Sequence, residues 1–270
     1  MLNERSNDQA ILAEMLSIPS SAYLIELLAA EVDPLQVHQT RERFVQQLTL
    51  QLYAPLQALY LANERQGAFD LSAEQKAQRA LRNKCLAWMC ASQQQDALPL
   101  AKSQFENADN MTEQLAAFTC LVNSQALDST DFVERFYSQW QDDSLVLDKW
   151  FSLQAMATQD DTIEVVMSLL EHPKFSIKNP NKVRALLAAF SSNVNAFHGP
   201  GGHALLADKV IELNAINPQV AARLVGAFNN WRIFSKPTRD SMQFELQRIL
   251  LTDELSKDVR EIASKALESS

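Results

Sequence analysis

The sequence predicts an all-α protein, a helical solenoid of armadillo/HEAT-like helix pairs that follow an N-terminal helical block. Three observations support this fold class. Helix-start signals recur every 34 to 38 residues, a second helical pattern follows each of them, and no stretch shows strand-like alternation. Repeats of this size built from two helices are typical of solenoids, in which each unit covers the apolar face of its neighbour. An irregular helical domain remains open as an alternative, because only two units match residue by residue.

The two units that match are residues 179–190 and 217–228, which share Asn, Pro, Leu, Ala and Phe when shifted by 38 positions. In each, the Asn side chain can accept a backbone N–H of the first turn, and the Pro suits the first helical position. Apolar residues follow at i, i+3, i+4 and i+7 in the first unit, namely Val183, Leu186, Leu187 and Phe190. This spacing predicts a helix with one apolar stripe in each unit.

Three earlier helix starts lie near Glu74, Asn110 and Leu145. Leu145 cannot cap a helix, so an oxygen of Asp142, Asp143 or Ser144 is expected to do so. The second helices of the pairs are predicted at residues 99–105, 131–140, 161–170, 203–213 and 239–251. We therefore expect one domain over residues 1–270, with an N-terminal block at 1–72 and helix-pair repeats at 73–270.

The N-terminal block is predicted to hold three helices after frayed first residues at 1–8. Two short helices, at residues 9–16 and 20–30, are separated by Pro19, and Asp33 caps a longer third helix. Pro55 lies inside the third helix, where it removes one ladder hydrogen bond and clashes with the previous turn. A kink or break is therefore expected near residues 51–54.

Composition disfavours several functional classes. The chain carries 33 acidic and 24 basic side chains, a net charge of −9, which repels nucleic acid and anionic lipid. It shows no secretory signal and no apolar run near the roughly 20 residues that a membrane span requires. Cys85, Cys90 and Cys120 lack paired metal-ligand spacing, so we interpret them as small buried hydrophobes of a cytoplasmic protein.

Two polar segments are interpreted as structural. The basic residues of segment 78–86 are taken as a solvated helix face. His198 and His203 flank a Gly-Pro-Gly-Gly turn, which lacks the Lys and Ser/Thr of a phosphate loop. A plain turn between repeats is favoured there over a metal site, because Gly and Pro commonly mark loops.

Several motifs stand together in an order that resembles one known family. These are Ser103-Gln104-Phe105, Asn110-Met111-Thr112, Leu147 to Phe151, Asn179-Pro180-Asn181 with Arg184, Phe197-His198, and Asn217 to Ala221 with Arg223. In this order the motifs resemble the C-terminal helical domain of the bacterial (Gram-negative) aminopeptidase N family. Members of that family are zinc metallopeptidases of the gluzincin type. The resemblance covers the chain from about Leu12 to Ala266. It implies a right-handed superhelical domain that covers the active-site cavity of a separate catalytic domain.

The resemblance also implies where the chemistry lies. In the family, a His-Glu-x-x-His helix and a distant Glu hold zinc in the catalytic domain, and this chain has no such motif. The chain alone is therefore expected to be non-catalytic, with no metal and no cofactor of its own. Its expected partners are the catalytic and other domains of the parent and, within the parent, peptide substrates.

Two substrate-binding residues follow from the same resemblance. Arginines that match Arg184 and Arg223 point into the enclosed cavity in the family, near the part of the peptide beyond the cleaved bond. A guanidinium suits this role because it stays charged and pairs bidentately with carboxylates. The alternative is that both arginines pair with local Asp or Glu side chains. For the whole chain, the alternative function is a free-standing helical scaffold that binds a protein partner.

Overall fold

The computed structural model describes residues 8–28, 31–94, 96–124 and 129–268. Within them the fold is all-α, and its one β-type contact is an isolated bridge between Val32 and Phe234. None of the helices in these ranges is both long and apolar enough to cross a bilayer. Fraying is expected of residues 1–8, and residues 1–7 lie outside the described part of the chain.

The helices follow one another with short connections. In the described ranges they are α1 Gln9–Met15, α2 Ser21–Leu28, α3 Pro34–Ala62, α4 Ala73–Ala91, α5 Ala97–Asn107, α6 Met111–Val122, α7 Ser129–Trp140, α8 Ser144–Ala155, α9 Thr162–Leu170, α10 Pro180–Val183, α11 Ala189–Ser192, α12 Val194–His198, α13 Gly202–Asn214, α14 Pro218–Val225, α15 Lys236–Leu250 and α16 Lys257–Glu268. A π-helical turn, Arg184–Ala188, joins α10 to α11, and short 3₁₀ turns lie at Gly226–Phe228 and Trp231–Ile233. All ten helices predicted for the repeats are present, and α12 and α16 are additional helices that the pattern did not indicate.

The N-terminal helices agree with the sequence except at Pro55. Asp33 accepts hydrogen bonds from the first turn of α3 at 3.0 and 3.1 Å, as expected of a cap. The α-helix then continues through Pro55 to Ala62, so of the kink or break expected near residues 51–54 the break is absent, and the kink stays a prediction. Pro55 has no N–H to donate to the carbonyl oxygen of Gln51. Gln51 is exposed, so water can hydrate that oxygen.

The chain forms two compact units, one of residues 8–19 and 40–139 and the other of residues 20–39 and 140–268. In the first unit α4 packs against α5 and α6, and α1 packs against α4. Four phenylalanines form its centre, and the rings of Phe118 and Phe136 stack at 4.4 Å. Phe105 meets Phe132 edge to face at 5.3 Å. The single-domain organisation over 1–270 remains a prediction.

In the second unit several helices pack against the next helix or the one after it. α13 contacts α14 and α15, while α14 contacts α16. The apolar stripe of the 179–190 repeat is fully buried, since Val183, Leu186, Leu187 and Phe190 are 0% exposed. Contacts between neighbouring and next-neighbouring helices are expected of a solenoid, because successive repeats cover one another.

The predicted caps are present at the repeat starts. Asn110 accepts from the Glu113 N–H at 3.0 Å, and Asn217 accepts from the Val220 N–H at 3.2 Å. The cap of α8, which the sequence left open among three residues, is Asp143.

The basic face predicted for segment 78–86 is wrong in part. Arg79 is buried, and the Arg82 guanidinium pairs with Glu113 at 2.8 Å while it lies over the Tyr60 ring at 4.6 Å. Glu113 is itself 4% exposed, so its carboxylate needs a cationic partner. The two charges are far apart in sequence and meet only because α4 packs against α6.

Asn193 gives a stability test of the second unit. Its side-chain oxygen accepts from the N–H groups of Asn195 and Ala196, and its amide donates to the carbonyls of Ala155 and Ala157 at 3.0 and 2.7 Å. Asn193→Ala should lower the free energy of unfolding by about 2–3 kcal/mol, because it removes a helix cap and leaves buried carbonyls unpaired. Chemical denaturation measures this loss.

The matched control is Asn195→Ala, whose side chain forms no hydrogen bond within the described part of the chain. This control should change the stability by less than about 0.5 kcal/mol. Equal losses in the two variants would show that Asn193 does not hold α12 to the end of α8.

Candidate functional site

Arg184 is exposed on a helix that buried groups hold in place. It begins the π-helical turn after α10, and its guanidinium donates to the Asn181 side-chain oxygen at 3.2 Å. The preceding Asn179 caps the helix, and Pro180 occupies its first position. π turns are rare and often lie at functional sites, so we treat this segment as a candidate site.

Lys182 anchors the same helix to α8. Its ammonium contacts the Asp148 carboxylate at 2.6 Å and lies 5.5 Å from the centre of the Phe151 ring. The lysine side chain is 7% exposed and the aspartate side chain 20%, so the pair is largely shielded from water. Losing either partner would leave an uncompensated buried charge, which is strongly destabilising.

A hydroxyl from α8 also supports the π turn. The Ser152 side chain lies 2.8 Å from the Ala185 carbonyl oxygen, within hydrogen-bond distance. A π turn shifts the backbone hydrogen-bond ladder by one residue, so an outside donor helps to satisfy its carbonyls. The contacts of Lys182 and Ser152 therefore fix the position from which the Arg184 side chain extends.

Arg223 lies in the last turn of α14 and is also exposed. Its neighbours on the helix, Ala222 and Leu224, are buried. Across the described ranges, neither Arg223 nor Arg184 forms an ion pair with a carboxylate. The alternative in which both arginines pair with local Asp or Glu is therefore not what the structure shows.

The two arginines do not occupy equivalent helix positions. Arg184 follows its capping Asn179 by five residues, whereas Arg223 follows Asn217 by six. One residue corresponds to about 100° around a helix, so the side chains leave their helices in different directions. Both nevertheless lie outside the buried stripe, as the sequence predicted.

His198, His203 and Ser241 form a partly buried hydrogen-bonded chain. His198 Nδ1 lies 3.1 Å from His203 Nε2, and His203 Nδ1 lies 2.9 Å from the Ser241 hydroxyl. Gly201 has φ +81°, and a Cβ at Gly202 would lie 2.3 Å from the Phe197 carbonyl oxygen. The Gly-rich turn is thus required sterically and brings the two rings together.

The environment keeps both imidazoles neutral. Burial lowers the pKa of His198 to about 3, with a smaller contribution from His203, and burial lowers the pKa of His203 to about 4. The Phe197 ring contacts both imidazoles at 4.9 Å. Within the described ranges no three His, Cys, Asp or Glu side chains are grouped as a metal site. The interpretation of this segment as a structural turn agrees with this geometry.

Sequence reasoning missed Lys182, Asp148 and Ser152, which position Arg184. One signal was available, because Lys182 lies four residues before Leu186 and so shares a face with the apolar stripe. A charge on such a face requires a partner, although the pattern does not identify Asp148 on α8 as that partner.

Comparison with known proteins identifies the family of this chain. Residues 1–268 match the family described as "Domain of unknown function (DUF3458_C) ARM repeats". The chain belongs to this family. The ARM repeats in the description agree with the helix pairs seen here, and the predicted fold class is confirmed.

Relatives of the chain carry the name Aminopeptidase N. The chain is 34% identical over 270 residues to Aminopeptidase N of Escherichia coli, covering 99% of this chain and 31% of that protein. It is also 34% identical over 263 residues to Aminopeptidase N of Caulobacter vibrioides, covering 96% of this chain and 30% of that protein. The predicted resemblance to the C-terminal domain of aminopeptidase N is confirmed, and the chain spans about a third of the length of these relatives.

A solved structure shows the same fold. The crystal structure of Legionella pneumophila aminopeptidase A in complex with aspartic acid matches the whole chain with a TM-score of 0.90 and 30% sequence identity. The match covers 33% of that protein. Both comparisons therefore associate this domain with longer aminopeptidases.

The histidine pair gives a test based on pH. Because folding holds both pKa values far below the usual 6.5, the unfolded chain binds more protons between pH 6.5 and about 4. The contribution of the pair to stability is therefore fully present above pH 6.5 and falls as the pH decreases towards 4, by up to about 1.4 kcal/mol per pH unit for each histidine.

The measurement is chemical denaturation of the wild type and of the double variant His198→Gln, His203→Gln at pH 7, 6 and 5. The wild type should lose more stability than the variant over this range, since carboxylates contribute equally to both. Parallel pH dependences in the two proteins would show that the pair is not held neutral.

Proposed function

We propose that the chain is the non-catalytic C-terminal domain of a zinc aminopeptidase, which removes N-terminal residues from peptides. In this proposal the domain encloses the active-site cavity, restricts access to it, and offers Arg223 and Arg184 to the distal part of the peptide. The observation that carries the proposal is a pair of exposed arginines that have no carboxylate partner among the described residues, on helices of a chain that aligns along its length with aminopeptidase N.

Zinc in this proposal belongs to the catalytic domain. The four histidines of this chain include no pair at the i, i+4 spacing of His-Glu-x-x-His, so its residues do not fit a peptidase zinc site. The partners are the catalytic and other domains of the longer protein and its peptide substrates. The cytoplasmic location is part of the proposal and is supported by the unpaired thiols of Cys85, Cys90 and Cys120.

The proposed role of the arginines is electrostatic. A peptide bound with its N-terminus at the zinc site directs its C-terminal carboxylate away from the cleaved bond. Arg223 forms no ion pair in the described ranges, so its charge is available for that carboxylate. Hydrogen bonds to charged groups contribute about 1.5–3 kcal/mol each, enough to affect substrate selection.

The test is Arg223→Ala in the full-length aminopeptidase that contains this domain. The kcat/KM for a tetrapeptide with a free carboxylate should fall roughly 10-fold or more, whereas that for an alanyl arylamide should stay within about two-fold. Arg260→Ala is the matched control, because Arg260 is another exposed arginine of the second unit. An equal loss with the arylamide, or an equal loss in the control, would contradict the carboxylate role.

A surface of the first unit fits the proposed attachment to other domains. Apolar side chains of α1, the following segment, α3 and α4 line a groove of about 650 Å³; they include Leu12, Met15, Ile18, Phe44, Leu48, Leu52 and Trp88. Met15 and Phe44 are 52% and 58% exposed at this groove. Exposed apolar patches of this kind commonly mark interaction sites.

The occupant that we propose for this groove is a preceding domain of the same longer polypeptide. About two thirds of each aminopeptidase N relative lies outside the match, and the groove is formed largely by the first helices of the described chain. A preceding domain would therefore attach near this groove. The Trp88 indole donates to the Leu16 carbonyl at 2.8 Å, which fixes one wall of the groove before any partner binds.

Methionine oxidation tests this docking surface. Met15 and Met167 are 52% and 53% exposed in this chain, so peroxide should convert both to sulfoxides at similar rates in the isolated chain. In the full-length protein Met15 should oxidise at least about five-fold more slowly, because the docked domain excludes the reagent, whereas Met167 should not. Mass spectrometry of tryptic peptides measures both rates.

Equal oxidation of Met15 in the two proteins would contradict docking at the groove. Slow oxidation of Met15 already in the isolated chain, with a molecular mass twice that of the monomer, would instead assign the groove to a second copy of the chain.

A further inference from the structure

Two of the three cysteines lie together, which the sequence did not indicate. Cys90 is near the end of α4 and Cys120 is near the end of α6, and these two helices pack against each other. Both thiols line one pocket at the ends of these helices, and a side-chain hydrogen bond with Cys90 raises the pKa of Cys120. Arg82 of α4 pairs with Glu113 of α6, which follows it by 31 residues, and Cys120 follows Cys90 by 30 residues. The two helices therefore lie side by side in a register that places Cys120 close to Cys90.

The thiol pair is reachable from solvent. Both cysteines line an open pocket of about 560 Å³, together with Gln93, Leu98 and Asn123. Cys90 is partly exposed, whereas Cys120 is 6% exposed and lies beneath the pocket surface. The interpretation of all three cysteines as buried hydrophobes is therefore wrong for Cys90.

We propose that Cys90 and Cys120 form a redox modification site, in which a peroxide oxidises the pair to an intramolecular disulfide. The pocket is the route by which the peroxide reaches Cys90. This assignment is independent of the proposed peptidase role, because it depends only on the packing of α4, α6 and the pocket between them.

The reaction balances in two steps. The sulfur of Cys90 attacks one peroxide oxygen, the O–O bond breaks, and a sulfenic acid forms while the thiol proton leaves in a molecule of water. The sulfur of Cys120 then attacks the sulfur of Cys90, the S–O bond breaks, and the departing hydroxide takes the Cys120 proton as a second water. Two thiols are thereby oxidised and one peroxide is reduced to two waters.

The order of the two steps follows from the environments of the thiols. The hydrogen bond with Cys90, together with burial, raises the pKa of Cys120, so Cys120 stays protonated and does not react first. A thiolate is the nucleophile towards peroxide, and access controls which thiol meets the oxidant. The partly exposed Cys90 is therefore the first thiol oxidised, and Cys120 resolves its sulfenic acid.

Cys85 provides an internal control. It lies on the same helix as Cys90, is 0% exposed, and does not line the pocket. Burial raises its pKa to about 12. It should remain a thiol under conditions that oxidise the pair.

The experiment treats the protein with hydrogen peroxide, unfolds it in the presence of a maleimide, and counts the labelled thiols by intact mass. Untreated protein should carry three labels on its three cysteines, and oxidised protein should carry one, on Cys85. Tryptic mapping without reductant should show peptides of Cys90 and Cys120 joined with the loss of two hydrogen atoms, and dithiothreitol should restore three labels.

Cysteine variants distinguish oxidation of the Cys90–Cys120 pair from non-specific oxidation of thiols. Cys85→Ala should still form the cross-link, whereas Cys90→Ala should prevent it and keep Cys120 available for labelling. If an alanine variant does not fold, peptide mapping of the wild type alone decides the question. Three labels after peroxide, sulfinic acid on Cys90 without a cross-link, or a disulfide that includes Cys85 would each overturn the proposal.

Discussion

The helices of this protein depend on one another because most of them are too short to be stable alone in water. Isolated helices of fewer than about 12–15 residues are marginal even with favourable sequences. α9 has nine residues and α14 has eight, and both bury their apolar residues against other helices. This mutual coverage explains why a strong apolar stripe recurs in each repeat and why the opposite faces remain free for residues such as Arg184 and Arg223.

Buried polar groups then determine how the helices are aligned. Apolar stripes alone allow neighbouring helices to slide, since burial is not directional. The pair of Lys182 with Asp148, the two hydrogen bonds from the Asn193 amide to α8 and its following residues, and the contact of His203 with Ser241 each join residues more than 30 positions apart in sequence. Because unsatisfied buried polar groups are costly, each of these contacts favours one alignment of the two helices over alignments in which one helix is shifted along the other.

The sequence predicted what depends on local chemistry. The caps at Asn110, Asn179 and Asn217 and the helix pairs of the repeats follow from side chains within one or two turns of each other. Of the kink or break expected near residues 51–54, the break does not occur, because the exposed helix tolerates an unpaired carbonyl that water can hydrate. The π turn at Arg184 was missed because it depends on a donor from α8.

The candidate sites likewise combine features that follow from local sequence with features that depend on packing between helices. The exposure of Arg184 and Arg223 followed from helical geometry, whereas the support of Arg184 by Lys182 and Ser152 required the packing of two repeats. The contacts of Arg82 with Glu113 and of Cys90 with Cys120 likewise depend on how α4 lies against α6. No spacing rule within one helix indicates which residues of another helix will face it.

The central claim is that this helical-repeat chain serves a peptidase whose zinc site lies in another domain of the same polypeptide. The most direct measurement is the genomic sequence upstream of the Met1 codon. The claim predicts that the reading frame continues upstream without a stop codon and encodes a His-Glu-x-x-His motif. An in-frame stop codon immediately before Met1, with no such motif in the same polypeptide, would contradict it.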